Sequence, residues 1–299
     1  MVWVRYKNYA GIILRGTVPV AIPKGDKKYN HLSRAFYLTS QLESPTWGTV
    51  QSYDGCGISA GPYHFIACNP STCVQGFLFE FINYVRSSIN DKNVNLSSLV
   101  NELIKCGWYL TSKGLVDNNN KLISGIDIRN VFAPINGVVP ASGKSREQAD
   151  KWALLFHTLL SDPITYRAQE EYAVNYLCKG YQSKEKEIYD IAMNKNNYSL
   201  SDLQVGLDIN KLSFEADLVM CLYHSASVNA PGIAIKSLVK TDRKNLPKQI
   251  IRNIATTNYG NWNCNLKNSR YSHAREIVKK SGLWPNSLFE QKGVMPEKF

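Results

Sequence analysis

Glu43 and Asp54 are the two residues whose type and spacing best suit chemistry in this chain. They lie eleven positions apart, Glu43 near the end of a segment with helical periodicity and Asp54 in a turn with Gly55 and Gly57. Cleavage of a glycosidic bond needs one carboxylic acid to protonate the leaving oxygen and a second carboxylate to activate water or attack the sugar. Apolar neighbours favour the neutral form of an acid, whereas a solvated turn leaves it ionised. The pattern predicts Glu43 as the general acid and Asp54 as the second carboxylate.

Each of these acids also has a purely structural interpretation. A glutamate near a helix end is usually a solvated surface residue, and Asp54-Gly55 is a signal for a type I′ hairpin turn. The surrounding sequence favours the functional interpretation, because its aromatic rings can stack on the apolar faces of sugars. These rings belong to Trp47, Tyr53 and Tyr63.

The order of residues from Glu43 to Gly61 resembles the active-site segment of one enzyme superfamily. Glu43-Ser44 is followed by Gly48, then by Tyr53-Asp54 and by Gly57-Ile58-Ser59-Ala60-Gly61. This order is similar to that of the lysozyme-like superfamily, particularly the phage and bacterial peptidoglycan hydrolases, with the chitosanases as more distant relatives. In that superfamily a catalytic glutamate ends a helix, and a β-hairpin that carries an aspartate and a hydroxyl residue follows. The resemblance implies Glu43 as general acid, Asp54 as second carboxylate and Ser59 as the hydroxyl that positions the water.

The stretch after Gly61 departs from the pattern of that superfamily. Many relatives place a glutamine there, where this chain has Pro62-Tyr63-His64. The predicted contacts with the substrate are Trp47, Tyr53, Tyr63 and His64. A weaker resemblance continues further along the chain, where 162–176 is similar to the helix behind the cleft of such hydrolases and 268–284 to their closing helix.

The rest of the sequence predicts an α+β fold that is mostly helical and lysozyme-like, with a small active-site β-hairpin. A helix is predicted from Asn30 to Ser44, with one apolar face that includes the turn before Glu43. Strand-forming residues near the N-terminus predict a β-arm, with a simple sheet edge as the alternative. The predicted domains are an N-terminal β-arm at 1–29, a catalytic domain at 30–285 with a rim insertion at 87–145, and a C-terminal tail at 286–299.

Composition limits the class of protein. The chain has 299 residues, of which 44% are hydrophobic, so it can bury a large core without disulfides or metal. Its seven cysteines include no CxxC pair, which is typical of reduced thiols in a protein made in a cytoplasm. The net charge of +11 favours a polyanionic partner such as wall polymers, nucleic acid or anionic lipid, or is simply a solvated basic surface. We expect neither a membrane span nor a signal peptide.

A metal site has little support in the sequence. Cys68 and Cys73 do not have the spacing of a zinc knuckle. The histidines His64, His157 and His224 each stand without a ligand at a recognised spacing. No metal and no cofactor are therefore expected.

The sequence also offers two alternatives to glycoside cleavage, a Cys–His peptidase and a phosphate- or nucleic-acid-binding site. Cys56 lies eight residues before His64 and is the one credible nucleophile for a Cys–His peptidase, although a core cysteine is the commoner situation. The glycines of 55–61 lack the lysine of a phosphate-binding loop, and no recognisable nucleic-acid-binding motif is present. Both are weaker than the paired carboxylates.

These features together predict a glycoside hydrolase that cleaves the glycan strand of bacterial peptidoglycan. A lytic transglycosylase of the same superfamily would dispense with Asp54. The alternative is a catalytically decayed lysozyme-like structural or wall-binding protein of a phage virion. The expected partners are peptidoglycan and other virion proteins, but not nucleic acid. The protein is expected to be made in the bacterial host cytoplasm and to act at the cell wall, either as a free endolysin or within a virion.

Overall fold

The computed structural model describes most of the first 181 residues and selected positions beyond them. The described residues are 1–6, 9–24, 30–52, 57–67, 78–89, 92–112, 114–132, 138–181, 214, 217–218, 221–222, 224–225, 270–290 and 295. The chain divides into two compact units. The first comprises Met1–Val20 and Glu43–Tyr172, and the second comprises Ala21–Leu42 and Ala173–Phe299. The boundaries expected from the sequence, at 29 and 285, follow a different division and stay predictions.

A five-stranded antiparallel sheet lies in the first unit. In spatial order its strands are β1 (Val2–Tyr6), β2 (Tyr9–Leu14), β3 (Val50–Gln51), β4 (Ser59–Ala60) and β5 (Phe65–Ile66). The two N-terminal strands predicted from the sequence are confirmed, and β2 pairs with β3 through Ile13 opposite Gln51. The N-terminal strands therefore extend the sheet that carries the predicted hairpin, as in the alternative of a simple sheet edge.

The helices of the first unit follow the sheet in sequence. They are α2 (Leu78–Ser88), α3 (Val94–Lys105), α4 (Gly125–Phe132), α5 (Lys144–Ser161), a 3-10 turn (Pro163–Thr165) and the start of α6 (Tyr166–Tyr181). A second small sheet pairs β6 (Tyr109–Thr111) with β7 (Gly114–Val116). The segment 87–145, in which the sequence indicates one helix among loops, thus contains two helices and a two-stranded sheet.

Local chemistry and aromatic packing explain these elements. Asn93 caps α3, because its side-chain oxygen accepts hydrogen bonds from the backbone N–H groups of Asn95 and Leu96 at 3.0 and 3.1 Å. In the core, the Phe65 ring lies 4.5 Å from that of Phe81 and 5.0 Å from that of Tyr172. These contacts place β5 against α2 and against the start of α6.

The helix α1 (Asn30–Glu43) lies in the second unit except for its last residue, Glu43. Its predicted end is confirmed to within one residue. The described side chains from His31 to Ser40 are buried, apart from the half-buried Arg34. The buried residues include Leu32, Ala35, Phe36 and Thr39 of the predicted apolar face, and burial extends to the other sides of the helix before its half-buried last turn.

The C-terminal part of the second unit contains α7 (Arg270–Ser281) and α8 (Ser287–Glu290). The buried residues Tyr271, Ala274 and Val278 lie along one face of α7. Gly282 follows the helix with a φ of 67°, the left-handed conformation in which many helices end. The sequence also predicts helices at 185–194, 200–208 and 246–256, and these ranges lie outside the described residues.

The described residues form a mixed α+β structure with small antiparallel sheets. None of the described helices combines the length and the apolar character that crossing a bilayer requires.

Candidate active site

The residues that follow Glu43 are fixed by the N-terminal segment. Val20 donates its backbone N–H to the carbonyl oxygen of Pro45 at 2.8 Å, and Trp47 donates to that of Val18 at 2.9 Å. Backbone hydrogen bonds of this kind restrict the path of the chain. These hydrogen bonds fix the backbone of residues 45–47, which precede β3.

Residues of α5 and α6 hold the same connection from the other side. The His157 ring donates from Nδ1 to the carbonyl oxygen of Gly48 at 2.7 Å. Gly48 has a φ of 72°, and a Cβ atom built on it would lie 1.9 Å from the Ser161 hydroxyl oxygen. The Trp47 ring stacks on Tyr166 with the ring centroids 4.5 Å apart. This position therefore requires glycine, and Trp47 is held by protein contacts.

Tyr166 is a neutral structural partner in this arrangement. Its hydroxyl donates a hydrogen bond to the carbonyl oxygen of Ser161 at 2.9 Å. Burial raises the pKa of Tyr166 above its ordinary value, and the negative charge of Asp162 raises the pKa further. The phenol keeps its proton at neutral pH and continues to act as a donor.

The predicted hairpin is present, with shorter strands than the sequence indicates. β3 and β4 pair antiparallel, with Gln51 opposite Ser59. Beyond this pair, Ser52 exchanges hydrogen bonds with Ile12 of β2, because Ile12 N donates to the Ser52 hydroxyl at 3.1 Å and Ser52 N donates to the Ile12 carbonyl at 3.0 Å. Tyr53 and Asp54, which the sequence places in the connecting turn, lie outside the described residues.

A tight turn at 61–64 joins β4 to β5 and brings His64 into the site. Gly61 has a φ of 79° and His64 a φ of 50°, and His64 N donates to the Gly61 carbonyl oxygen at 3.1 Å. Positive φ is uncommon for residues other than glycine, although histidine is one of those enriched there. Such strained positions concentrate at functional sites.

Glu43 lies beside this turn. Its Oε2 atom is 3.8 Å from His64 Nδ1, and its side chain is only 8% exposed. Gln51 Nε2 lies 3.2 Å from the same ring nitrogen. The helix end, the first hairpin strand and the second turn therefore meet at Glu43, Gln51 and His64. A separation of 3.8 Å is too long for a direct hydrogen bond between the two side chains.

Three of the predicted site residues, Ser59, Tyr63 and Trp47, are buried in the protein interior. Ser59 and Tyr63 are fully buried, and the Tyr63 ring packs 5.6 Å from that of Phe65. Trp47 is also buried, in its stack on Tyr166. These side chains belong to the core of the first unit. A sugar could therefore contact them only if the surrounding side chains moved away.

The start of α6 adds a residue that the sequence analysis did not single out. Gln169 is buried, and its Nε2 atom donates to the Leu160 carbonyl oxygen at 2.8 Å and to the Thr165 hydroxyl at 2.9 Å. A Cβ atom on Gly61 would lie 3.4 Å from Gln169 Oε1. The segment that weakly resembles the helix behind the cleft thus packs behind the 61–64 turn. The sequence analysis also did not single out Gln51. Its proximity to His64 is a contact between β3 and the 61–64 turn, which the local sequence does not indicate.

Metal-binding side chains come together at one place in the part of the chain that the structure describes. The one group of three His, Cys, Asp or Glu residues close enough to share an ion is His31, Asp217 and Cys221, in the second unit. None of these residues belongs to the 43–64 segment.

Comparisons of the chain with protein-family models, with curated proteins and with solved structures found no match. In the structure, α1 ends at Glu43 and the strands β3, β4 and β5 follow.

Proposed function

We propose that this chain is a glycoside hydrolase that cleaves the glycan strand of bacterial peptidoglycan, with Glu43 as its general acid. The observation that carries the proposal is the position of Glu43 at the end of α1, with a side chain that is 8% exposed and next to the β3–β4–β5 hairpins. A rigid, largely buried carboxylic acid beside a turn is suited to donate a proton to a leaving oxygen.

Two neighbours assist Glu43 in this proposal. The Gln51 side-chain amide donates a hydrogen bond to His64 Nδ1 at 3.2 Å, which orients the ring beside Glu43. His64 is thus a positioning residue, in the stretch where relatives of the resembled superfamily carry an amide.

Asp54 completes the proposed mechanism as the second carboxylate. After Glu43 protonates the glycosidic oxygen, the Asp54 carboxylate would activate a water molecule or attack the sugar carbon. Water supplies the hydroxyl group of the new reducing end, and its other proton restores the enzyme. In the sequence, Asp54 lies between β3, which ends at Gln51, and β4, which begins at Ser59.

Clearing of purified sacculi in a zymogram tests the assignment of Glu43. Glu43→Gln keeps the size of the side chain but removes its titrating proton, so lysis should fall by about 10²–10⁴-fold. Glu147→Gln on the exposed side of α5 is the matched control and should clear normally. Normal clearing by folded Glu43→Gln protein would rule out the general acid.

Product analysis separates hydrolysis from transglycosylation. Asp54→Asn should abolish lysis if Asp54 is the second carboxylate, and each bond that the wild-type protein cleaves should add one water, shared between the two products, and leave a reducing end. Lysis that persists in Asp54→Asn, with products lighter by one water, would assign the chain to the lytic transglycosylases.

The burial of Ser59 and Tyr63 favours a second candidate function. A lysozyme-like protein whose site has decayed could still bind the wall as a structural component of a phage virion. Sacculi that are bound and sedimented with the wild-type protein, but never cleared, would support this alternative against the enzyme.

A further inference from the structure

Three metal-binding side chains meet in the interior of the second unit. His31 is on α1, while Asp217 and Cys221 both have helical backbone and lie four residues apart. Residues at this spacing lie on the same face of a helix. All three side chains are fully buried, and one donor atom from each lies within 4.8 Å of the others.

The hydrogen bonds within this cluster orient its donors. His31 Nδ1 contacts Asp217 Oδ1, and the Trp284 indole N–H donates to Asp217 Oδ2 at 2.6 Å. His31 Nε2 is buried and has no hydrogen-bond partner among the described residues. A buried polar atom left in this way destabilises the folded state.

We propose that the second unit binds one Zn²⁺ ion through His31, Asp217 and Cys221. Thiolate and imidazole are the ligands that zinc prefers, and carboxylate is its third common ligand in proteins. Calcium and magnesium instead select sites made of oxygen atoms alone. The ion would link α1 to the helical positions of Asp217 and Cys221, which are far away in sequence. This inference is independent of the proposed glycosidase function.

Proton release is part of the binding step. Coordination replaces the S–H bond of Cys221 with a bond from zinc to the thiolate, and the proton leaves to the solvent. Without an ion, burial raises the pKa of the Cys221 thiol well above its ordinary value, and the Asp217 charge adds to this, while the Arg34 charge opposes it. The metal-free cysteine is therefore a neutral thiol and a poor nucleophile.

Metal content of the full-length protein tests the site. The purified chain is saturated with Zn²⁺, desalted and analysed by mass spectrometry of the element, and about one ion per chain is expected. Cys221→Ser and His31→Gln should each reduce the bound zinc at least tenfold. Cys106→Ser, which changes an exposed free cysteine, is the matched control and should retain the ion.

Cobalt binding tests the site in the wild-type chain, so this measurement does not require that any variant folds. Co²⁺ added to the metal-free wild-type chain should give the charge-transfer absorption of a thiolate ligand, and one equivalent of Zn²⁺ should abolish it. A chelator should lower the melting temperature of the wild-type protein.

Three results would overturn the proposal. Wild-type protein without stoichiometric zinc or a thiolate–cobalt band would leave the cluster as a hydrogen-bonded network of Asp217, His31 and Trp284. Zinc retained by folded Cys221→Ser would place the ion elsewhere. Zinc lost equally from Cys106→Ser would assign binding to accessible thiols.

Discussion

The carboxylate of Glu43 and the imidazole of His64 lie 3.8 Å apart, although 21 positions separate the two residues in the sequence. The contact depends on the 61–64 turn, in which His64 has a φ of 50°. His64 therefore has two separable properties, a strained backbone conformation and a ring beside the proposed general acid.

Substitutions at His64 can separate these two properties. His64→Asn keeps a side chain that tolerates the left-handed conformation, so stability should change little while lysis falls about tenfold or more, as expected for a misplaced acid. His64→Ala should also lower the free energy of unfolding by about 1–2 kcal/mol, because alanine is strained at positive φ. Urea unfolding and sacculus clearing measure the two effects. Full lysis by His64→Asn would show that the ring has no positioning role.

The connection after α1 should be intolerant of any side chain at Gly48. Gly48→Ala combines strain at a φ of 72° with a Cβ atom 1.9 Å from the Ser161 hydroxyl oxygen. We expect a loss of roughly 2–5 kcal/mol in the free energy of unfolding, from positive φ and overpacking together. Gly143→Ala is the control, since Gly143 has a φ of 87° with no atom within 4 Å of its Cβ position. Equal losses at the two glycines would mean that the close approach to Ser161 is not restrictive.

Acid should destabilise the protein through His224. Burial lowers the pKa of His224 from 6.5 to about 3, and the nearby His31 contributes to this. Between these values the unfolded chain binds a proton that the folded chain does not, so stability is complete above about pH 6.5 and is lost as the pH falls toward 3. The slope is at most about 1.4 kcal/mol per pH unit for one proton.

Denaturant unfolding at several pH values, with a chelator present, measures this slope. Other ionisable groups in this region are His31, Asp217 and Cys221 of the proposed zinc site, together with Arg34. His224→Gln should flatten the profile between pH 6.5 and 3, because glutamine does not titrate. An unchanged slope in that variant would assign the pH dependence to the other groups.

The basic end of α7 should contribute to wall binding. Lys279 and Lys280 are exposed in the last turn of this helix. Lys279→Gln with Lys280→Gln should weaken sacculus binding at low salt, and the difference should shrink at 0.15 M salt, where the screening length is about 8 Å. Turnover of short soluble glycans should not change. The same two-charge change at the exposed Lys24 and Lys121 is the control, and an equal effect there would indicate net charge alone.

The sequence by itself determined the local elements of this site. The periodicity of 30–44 predicted a helix, and the glycine-punctuated segment after it predicted a hairpin; both are present, with the helix ending at Glu43. The strand-forming residues 2–6 and 11–14 likewise predicted β1 and most of β2. These preferences act over a few residues, through backbone conformation and side-chain alternation, so they can be recognised without the rest of the fold.

Tertiary structure decided which side chains are accessible and which distant residues meet. Trp47 and Tyr63 were predicted to bind sugar because of their type, but packing against Tyr166 and Phe65 buries them. His31 and Asp217 are 186 positions apart, and no ligand spacing in the sequence relates them. Burial and long-range contact depend on how whole elements pack together, and local sequence preferences carry no information about that arrangement.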